Sequence, residues 1–519
     1  MLRVRAMTRI GPATVDRDLV GRPLETGPVG ILAWSEPVRV AIRTGRVVSV
    51  QPLGGSVDER PREVPVLGDA DALLLPGLAD SHLHLVATAA VLSGRDLAAD
   101  HPRTIEELLA RLAALAARLP PGAWLRVSGF EESRLREGRF PTTAELDRSV
   151  GDVPLRLRHA TRHASLLGSA GRRRLAALLG ESPAHGDRAR GAGPGEDAVV
   201  LGREAEITVA LGPHDESALR EGMRSASALL ASRGVTTIDE VTGSNEPARV
   251  ALLASAVARG DVGQRVRVFV PDADLAPAAA EAAGGWVEIA GVKLFAHHED
   301  EAAAPGFAAA VARARHAGWP VAVHAVEPDV VARVLAVLRA APVRADAGDP
   351  MRRAAPDRVE HASLCPPELA REIAAAGVAV VTQPGFLRAR GEKYLREVEA
   401  PLRDWLYPLR TLASAGVTVA GGSDSPIGPL DPAVAIAAAF DRRSASGEPI
   451  APGESIPPGR ALEMHGIRAR GVRGEGAAGR PWLASGDDGD LVVLSGPSSA
   501  WLRPSGGGSE PRGGLGNPD

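Results

Sequence analysis

Asp80-Ser81-His82-Leu83-His84 closes an apolar run, LLLPGLADSHLHL (73–85), with two imidazoles two residues apart. On a strand, alternate side chains share a face, so Asp80, His82 and His84 point one way and Ser81 and Leu83 the other. Two histidines on one face can grip a divalent cation, but two ligands do not close a site. The remaining donors must come from elsewhere in the chain.

The elements that would supply them follow a rhythm. From about residue 216, helical segments alternate with short, nearly continuous apolar runs: VTTIDE (235–240), RVRVFV (265–270), VEIAGVKLFA (287–296), PVAVHA (320–325), RVEHA (358–362), VAVVTQP (378–384) and VTVAGGSD (417–424). With the run ending at His84 these make eight strands, seven of them preceded by a helix. Apolar strands alternating with helices imply a parallel sheet, and eight fit a closed (β/α)8 TIM barrel. A doubly wound open sheet would want a glycine-rich phosphate turn after its first strand, and none is present.

On this map the ionisable residues fall at one end. His82 and His84 close strand one, Lys293 lies near the end of strand four, and His324, His361 and Asp424 end strands five, six and eight. The C-terminal ends of barrel strands form the active-site mouth. Histidines and a carboxylate converging there suit a catalytic divalent cation, zinc first among them. Lys293 needs its own explanation, since an ammonium cannot ligate a cation. A neutral lysine can react with carbon dioxide to give a carbamate, an oxygen ligand able to bridge two metals; arginine cannot. Of 60 basic side chains only Lys293 and Lys393 are lysine, so a lysine at this position stands out. A plain charge partner remains the alternative for it.

These stretches resemble the amidohydrolase superfamily, specifically its amidohydrolase-3 branch of N-substituted formamide deformylase-like and YtcJ-like proteins. The resemblance is carried by PGLADSHLH (76–84), PTTAELD (141–147), GVTTIDE (234–240), VKLFA (292–296), VAVHA (321–325), RVEHA (358–362), YPLRTLASAGVTVAGGSDSP (407–426) and GDDGDLVVL (486–494). It implies a β-sandwich built from both termini beside the barrel and a metal-dependent hydrolase. The ligands would be His82, His84, Lys293, His324, His361 and Asp424, with carboxylated Lys293 between two cations, a single cation being the alternative that some superfamily members use. Asp424 would take the proton of a metal-activated water and pass it to a leaving amine. His163 corresponds to a family histidine, and His297 shares the strand face of Lys293 and Phe295; both are candidate substrate contacts. The family pattern departs at His297-His298, where it carries Asp-Gly, and at Ala325-Val326-Glu327-Pro328-Asp329, where it reads Gly-Asp.

The expected organisation is residues 1–75 as the first part of the β-sandwich and 76–440 as the barrel, with an insertion at 95–215. Residues 441–503 complete the sandwich, and 504–519 form a disordered tail. The expected activity is hydrolysis of a non-peptide, amide-type C–N bond in a small molecule. Ester or lactone hydrolysis, or deamination, on the same site is the alternative, and a non-catalytic barrel scaffold the second.

Composition bounds the partners. A net charge of −4 and a pI near 6.4 give no basic footprint for nucleic acid or an anionic membrane. The single cysteine, Cys365, excludes an intramolecular disulfide and a cysteine metal cage. No apolar run approaches the ~20 residues of a membrane span, and the N-terminus lacks the apolar core of a secretion signal. The expectation is a cytoplasmic protein with a small-molecule substrate, and a homodimer by superfamily analogy.

Overall fold

The computed structural model describes residues 4–5, 17–26, 32–44, 46–53, 66–92, 97, 102–159, 164–180, 196–201, 203–211, 216–342, 354–473, 483 and 491–494. His163 and the 504–519 tail lie outside them. The chain separates into two compact units, Met1–His84 with Ser227–Asp519, and Leu85–Ala226.

In the first unit, eight parallel strands form one sheet in sequential order: β1 (Leu78–Leu83), β2 (Val235–Glu240), β3 (Arg265–Val270), β4 (Val287–Phe295), β5 (Val321–Ala325), β6 (Arg358–His361), β7 (Ala379–Thr382) and β8 (Val419–Gly421). Just past β8 the two ends of the sheet meet: Asp424 donates its N–H to the carbonyl of His82 at 2.7 Å, and His84 donates to that of Ser425 at 3.1 Å. Gly422 permits the approach, because a Cβ there would lie 2.6 Å from the Cβ of His82.

The strands β1, β2, β6, β7 and β8 are buried at every position, as apolar runs covered on both faces should be. The helices between them present their apolar stripes inward. Pro328–Ala340, for example, buries Val330, Val331, Val334, Leu335 and Leu338, and proline at its first turn removes an N–H that no helix residue could accept.

The same unit holds a seven-stranded sheet drawn from both ends of the chain: Val4–Arg5, Arg17–Thr26, Leu32–Trp34, Val38–Arg43, Arg46–Pro52, Val66–Pro76 and Leu491–Leu494. Leu19, Val40, Ile42, Val47, Ala72, Leu74 and Leu491 pack together as its core. Val66–Pro76 leads into β1 after a single residue, Gly77, so this sheet anchors the start of the barrel.

The second unit has its own four-stranded sheet, ordered Val199–Leu201, Ala164–Leu167, Leu155–His159, Leu125–Phe130. Leu108, Leu112, Phe130, Leu146, Leu157 and Leu166 lie in its core. Thr142 caps the helix Thr143–Val150 in a reciprocal pair with Glu145.

Residues 458–472 form Pro458–His465 and Ile467–Val472, broken at Gly466. His465 is buried under the barrel: its Nδ1 lies 3.2 Å from the carbonyl of Ala79, and its ring fills the space that a Cβ on Gly421 would need. Among the described residues, no helix is long and apolar enough to cross a membrane.

Candidate metal centre

His82, His361 and Asp424 are all buried, and their ligand atoms lie within 4.8 Å of one another. They come from β1, the end of β6 and the turn after β8. Oδ1 of Asp424 is 3.4 Å from Nε2 of His82 and 3.0 Å from Nε2 of His84. Lys293, on β4, is 2% exposed, and its Nζ is buried without a hydrogen-bond partner among the described residues. His324, on β5, has its ring centroid 4.6 Å from that of His361.

His297 lies past the end of β4, exposed, with its ring 4.7 Å from His324 and stacked on Phe295 at 5.6 Å. Phe295 is 41% exposed, lies 5.3 Å from Nζ of Lys293 and sits against Gly243, where a Cβ would be 2.3 Å from its ring.

Three of the histidines have one ring nitrogen engaged by the protein. Nδ1 of His82 is 2.5 Å from Oε2 of Glu360, Nδ1 of His84 is 2.9 Å from Oγ1 of Thr242, and Nδ1 of His361 is 2.9 Å from Oε1 of Gln383. The acceptor oxygens of Glu360 and Gln383 fix a proton on Nδ1 of His82 and His361, so the neutral imidazoles would offer Nε2 to a cation, and without one Nε2 of His82 faces Asp424. Thr242 is held in turn, since its N–H donates to Oε1 of Glu240 at 2.9 Å. Asp80 accepts from the N–H of His82 at 3.2 Å and of Ser423 at 2.9 Å, tying β1 to the turn that carries Asp424.

Electrostatics suit the same purpose. Burial pulls Lys293 down to about 8, with the carboxylates of Glu360 and Asp424 only partly opposing it and Arg358 assisting. Burial, with His361 and Lys293 nearby, takes His324 down to about 2, and burial beside His82 takes His361 to about 4, so both imidazoles stay neutral. Burial works to raise Asp424, but the charge and hydrogen bond of His82, with His84 and His361, hold it well below the usual carboxylate range. At Asp80 burial prevails over the hydrogen bonds of Ser423 and His82 and the charge of His82, and pushes it up to about 6.

The backbone is strained where function would need it. His361 has φ 78° and Asp424 φ 52°, both in the left-handed region that costs a non-glycine residue about 1–3 kcal/mol.

Several residues around the site were not anticipated from sequence: Glu360, Thr242, Glu240, Gln383 and Arg358. The one visible signal was Arg358-Val359-Glu360. Charges at alternate positions of a buried strand share a face and must find partners.

The donor set fits a divalent cation: imidazole nitrogens with directed lone pairs, an ionised carboxylate, and a buried amine without a partner. A model of the amidohydrolase family matches residues 70–503. This chain belongs to the amidohydrolase family.

Among its amidohydrolase relatives, YtcJ of Bacillus subtilis (strain 168) is 25% identical over 457 residues, covering 82% of this chain and 84% of that protein. N-substituted formamide deformylase of Arthrobacter pascens is 24% identical over 507 residues, covering 88% and 89%. The fold is shared with an uncharacterized metal-dependent hydrolase from Pyrococcus horikoshii OT3, at a TM-score of 0.69 and 19% identity, covering 92% of this chain and 97% of that one. A second, from Pyrococcus furiosus, has a TM-score of 0.68 at 22% identity, covering 94% and 100%.

Proposed function

We propose that this amidohydrolase is a metal-dependent hydrolase of an amide-type, non-peptide C–N bond in a small molecule. The observation that carries the reading is the convergence of Nε2-directed imidazoles on Asp424 beside the partnerless Nζ of Lys293. The relative named N-substituted formamide deformylase supports the bond class.

His82, His84 and Asp424 would hold one cation and His324 and His361 a second, with zinc the first choice for mixed imidazole and carboxylate donors. Lys293 would serve both as a carbamate: its neutral Nζ adds to the carbon of carbon dioxide, an N–C bond forms and a proton leaves to solvent. Depression of the amine to about 8 makes the neutral form accessible near pH 7.

When bound, the cation supplies Lewis acidity, lowering the pKa of water from 15.7 toward ~7 and polarising a carbonyl. Asp424, ionised and at the junction of β1 and β8, takes the proton released as water attacks and returns it to the leaving nitrogen. Phe295 and His297 are exposed at the end of β4, and His297 is a substrate contact in this reading. His163 is a second candidate contact.

The test is elemental analysis of protein grown with bicarbonate, paired with turnover of N-formyl and N-acyl amides, esters, lactones and amino-heterocycles. About two cations per chain and preference for amides support the reading. Preference for esters, lactones or amino-heterocycles would move the reaction to those classes. Absence of stoichiometric metal, with His82→Ala leaving turnover intact, would overturn it.

A further inference from the structure

A line of buried charges runs along the barrel interior to the back of His82. Glu360 presents Oε2 to Nδ1 of His82 at 2.5 Å and Oε1 to Nε of Arg358 at 2.6 Å. Nη1 of Arg358 lies 2.6 Å from Oδ2 of Asp239, whose Oδ1 accepts from Nη1 of Arg267 at 3.0 Å. Nε of Arg267 then meets Oε1 of Glu288 at 3.1 Å. Arg358 also donates to the carbonyl of Ser81, beside His82, at 3.1 Å, and its guanidinium lies 4.2 Å over the ring of Phe269. Glu360, Arg358, Asp239 and Arg267 are each at most 4% exposed, and only Glu288, with 40% of its side chain exposed, reaches solvent.

Such a line is costly to bury and is not needed to fill space. A buried ion pair is commonly replaceable by apolar side chains with no loss of stability. Its geometry is directional, however. The planar guanidinium of Arg358 spans two carboxylates on two strands and contacts β1, and so leaves Glu360 one orientation, with one oxygen toward His82. That carboxylate in turn sets which nitrogen of His82 faces Asp424.

We propose that Arg358, held by Asp239, is a positioning residue for the metal centre: it acts through Glu360 to orient His82 as a ligand. The inference rests on the metal-dependent reading above, and goes beyond it by assigning a role to residues that contact neither cation nor substrate.

The experiment is a double-mutant cycle read as affinity for Zn2+, measured on metal-free full-length protein by competition with a chromophoric chelator. Arg358→Lys keeps a positive charge but loses the planar fork that holds the two carboxylates in fixed directions; it should weaken binding about 10–100-fold, the range for partners one shell out from a metal. Glu360→Gln should weaken it similarly. In the Glu360→Gln background, Arg358→Lys should cost nothing further, because its route to His82 is already cut. Asp239→Asn should give a smaller loss, also absent in that background, and Glu288→Gln no change.

Additive losses from Arg358→Lys and Glu360→Gln would mean a general structural role and overturn the inference, as would unchanged affinity in Arg358→Lys. Should Arg358→Lys not fold, Asp239→Asn supplies the same cycle. Parent protein that binds Zn2+ but gives an additive cycle defeats this inference alone. Parent protein that binds no divalent cation defeats the metal-dependent reading with it.

Discussion

Nε2 of His84 lies 3.0 Å from Oδ1 of Asp424, and the backbone of His84 donates to the carbonyl of Ser425, the residue after that aspartate. The pair joins the first and last strands of the barrel, so the contact that closes the sheet also sets Asp424, the proposed acid–base group, beside an imidazole. Replacing Asp424 by Asn should keep the packing and remove the proton acceptor. The expected outcome is a fall in kcat of about 10²–10⁴-fold, with weaker metal retention, measured by steady-state kinetics and metal content. Full activity in Asp424→Asn would remove it from the mechanism.

Lys293 should make metal loading depend on carbon dioxide. Lys293→Ala should lose cations relative to the parent protein. Metal-free parent protein should take up carbon dioxide faster as pH rises, ~10-fold per unit below the amine's value of about 8, and level off above it. The sign follows from the neutral amine being the nucleophile. Isotope-labelled bicarbonate and carbon NMR would detect the carbamate; loading indifferent to bicarbonate and to Lys293→Ala would count against it.

Gly422 lies where β8 reaches His82, and an added Cβ would meet the Cβ and backbone nitrogen of His82 at 2.6 and 2.7 Å. Backbone cannot swing aside as a side-chain tip can. Gly422→Ala should therefore destabilise the protein by about 1–3 kcal/mol and weaken metal binding together, seen as a lower Tm and a raised Kd. A variant with unchanged Tm would show that closure tolerates the extra volume.

In the second unit, Glu145 should carry an acid-sensitive part of stability. Its carboxylate accepts from Arg139 at 2.8 and 2.9 Å and from the N–H of Thr142 at 2.7 Å. The hydrogen bonds from Arg139, followed by those from Thr142, outweigh burial and pull it from 4.5 to about 2. A lowered carboxylate stabilises the fold above its unfolded value, and that contribution disappears as pH falls from 4.5 to about 2. Glu145→Ala should cost about 1 kcal/mol at neutral pH, with the gap to the parent narrowing across that window in denaturant titrations. A gap that stays constant with pH would assign the loss to packing alone.

Much of the barrel was legible in the chain because its signal is local. Each β-strand is a short apolar run behind a helix, and β2 and β3 occupy the expected residues, while β8 shrinks from 417–424 to Val419–Gly421. The difference has a physical reason: after Gly421 the backbone leaves the sheet to meet β1, carrying Asp424 in a left-handed conformation that periodicity does not encode. The candidate ligands were visible for the same reason as the strands, since chemistry-bearing residues recur at strand ends.

Partners that join distant strands were not legible. Glu360 next to His361 reads as an ordinary acidic residue in RVEHA. Only the closed barrel brings it to His82, puts Arg358 between it and Asp239, and leaves Lys293 without a hydrogen-bond partner among the described residues. By itself the sequence determined which residues could bind a cation and the parallel order of the strands, because side-chain chemistry and apolar periodicity are properties of neighbours along the chain. The tertiary structure decided which nitrogen of His82 and of His361 is held by the protein, which carboxylate stays ionised and how far the lysine is depressed. Those depend on burial and on contacts across the barrel, which exist only once the first strand meets the eighth.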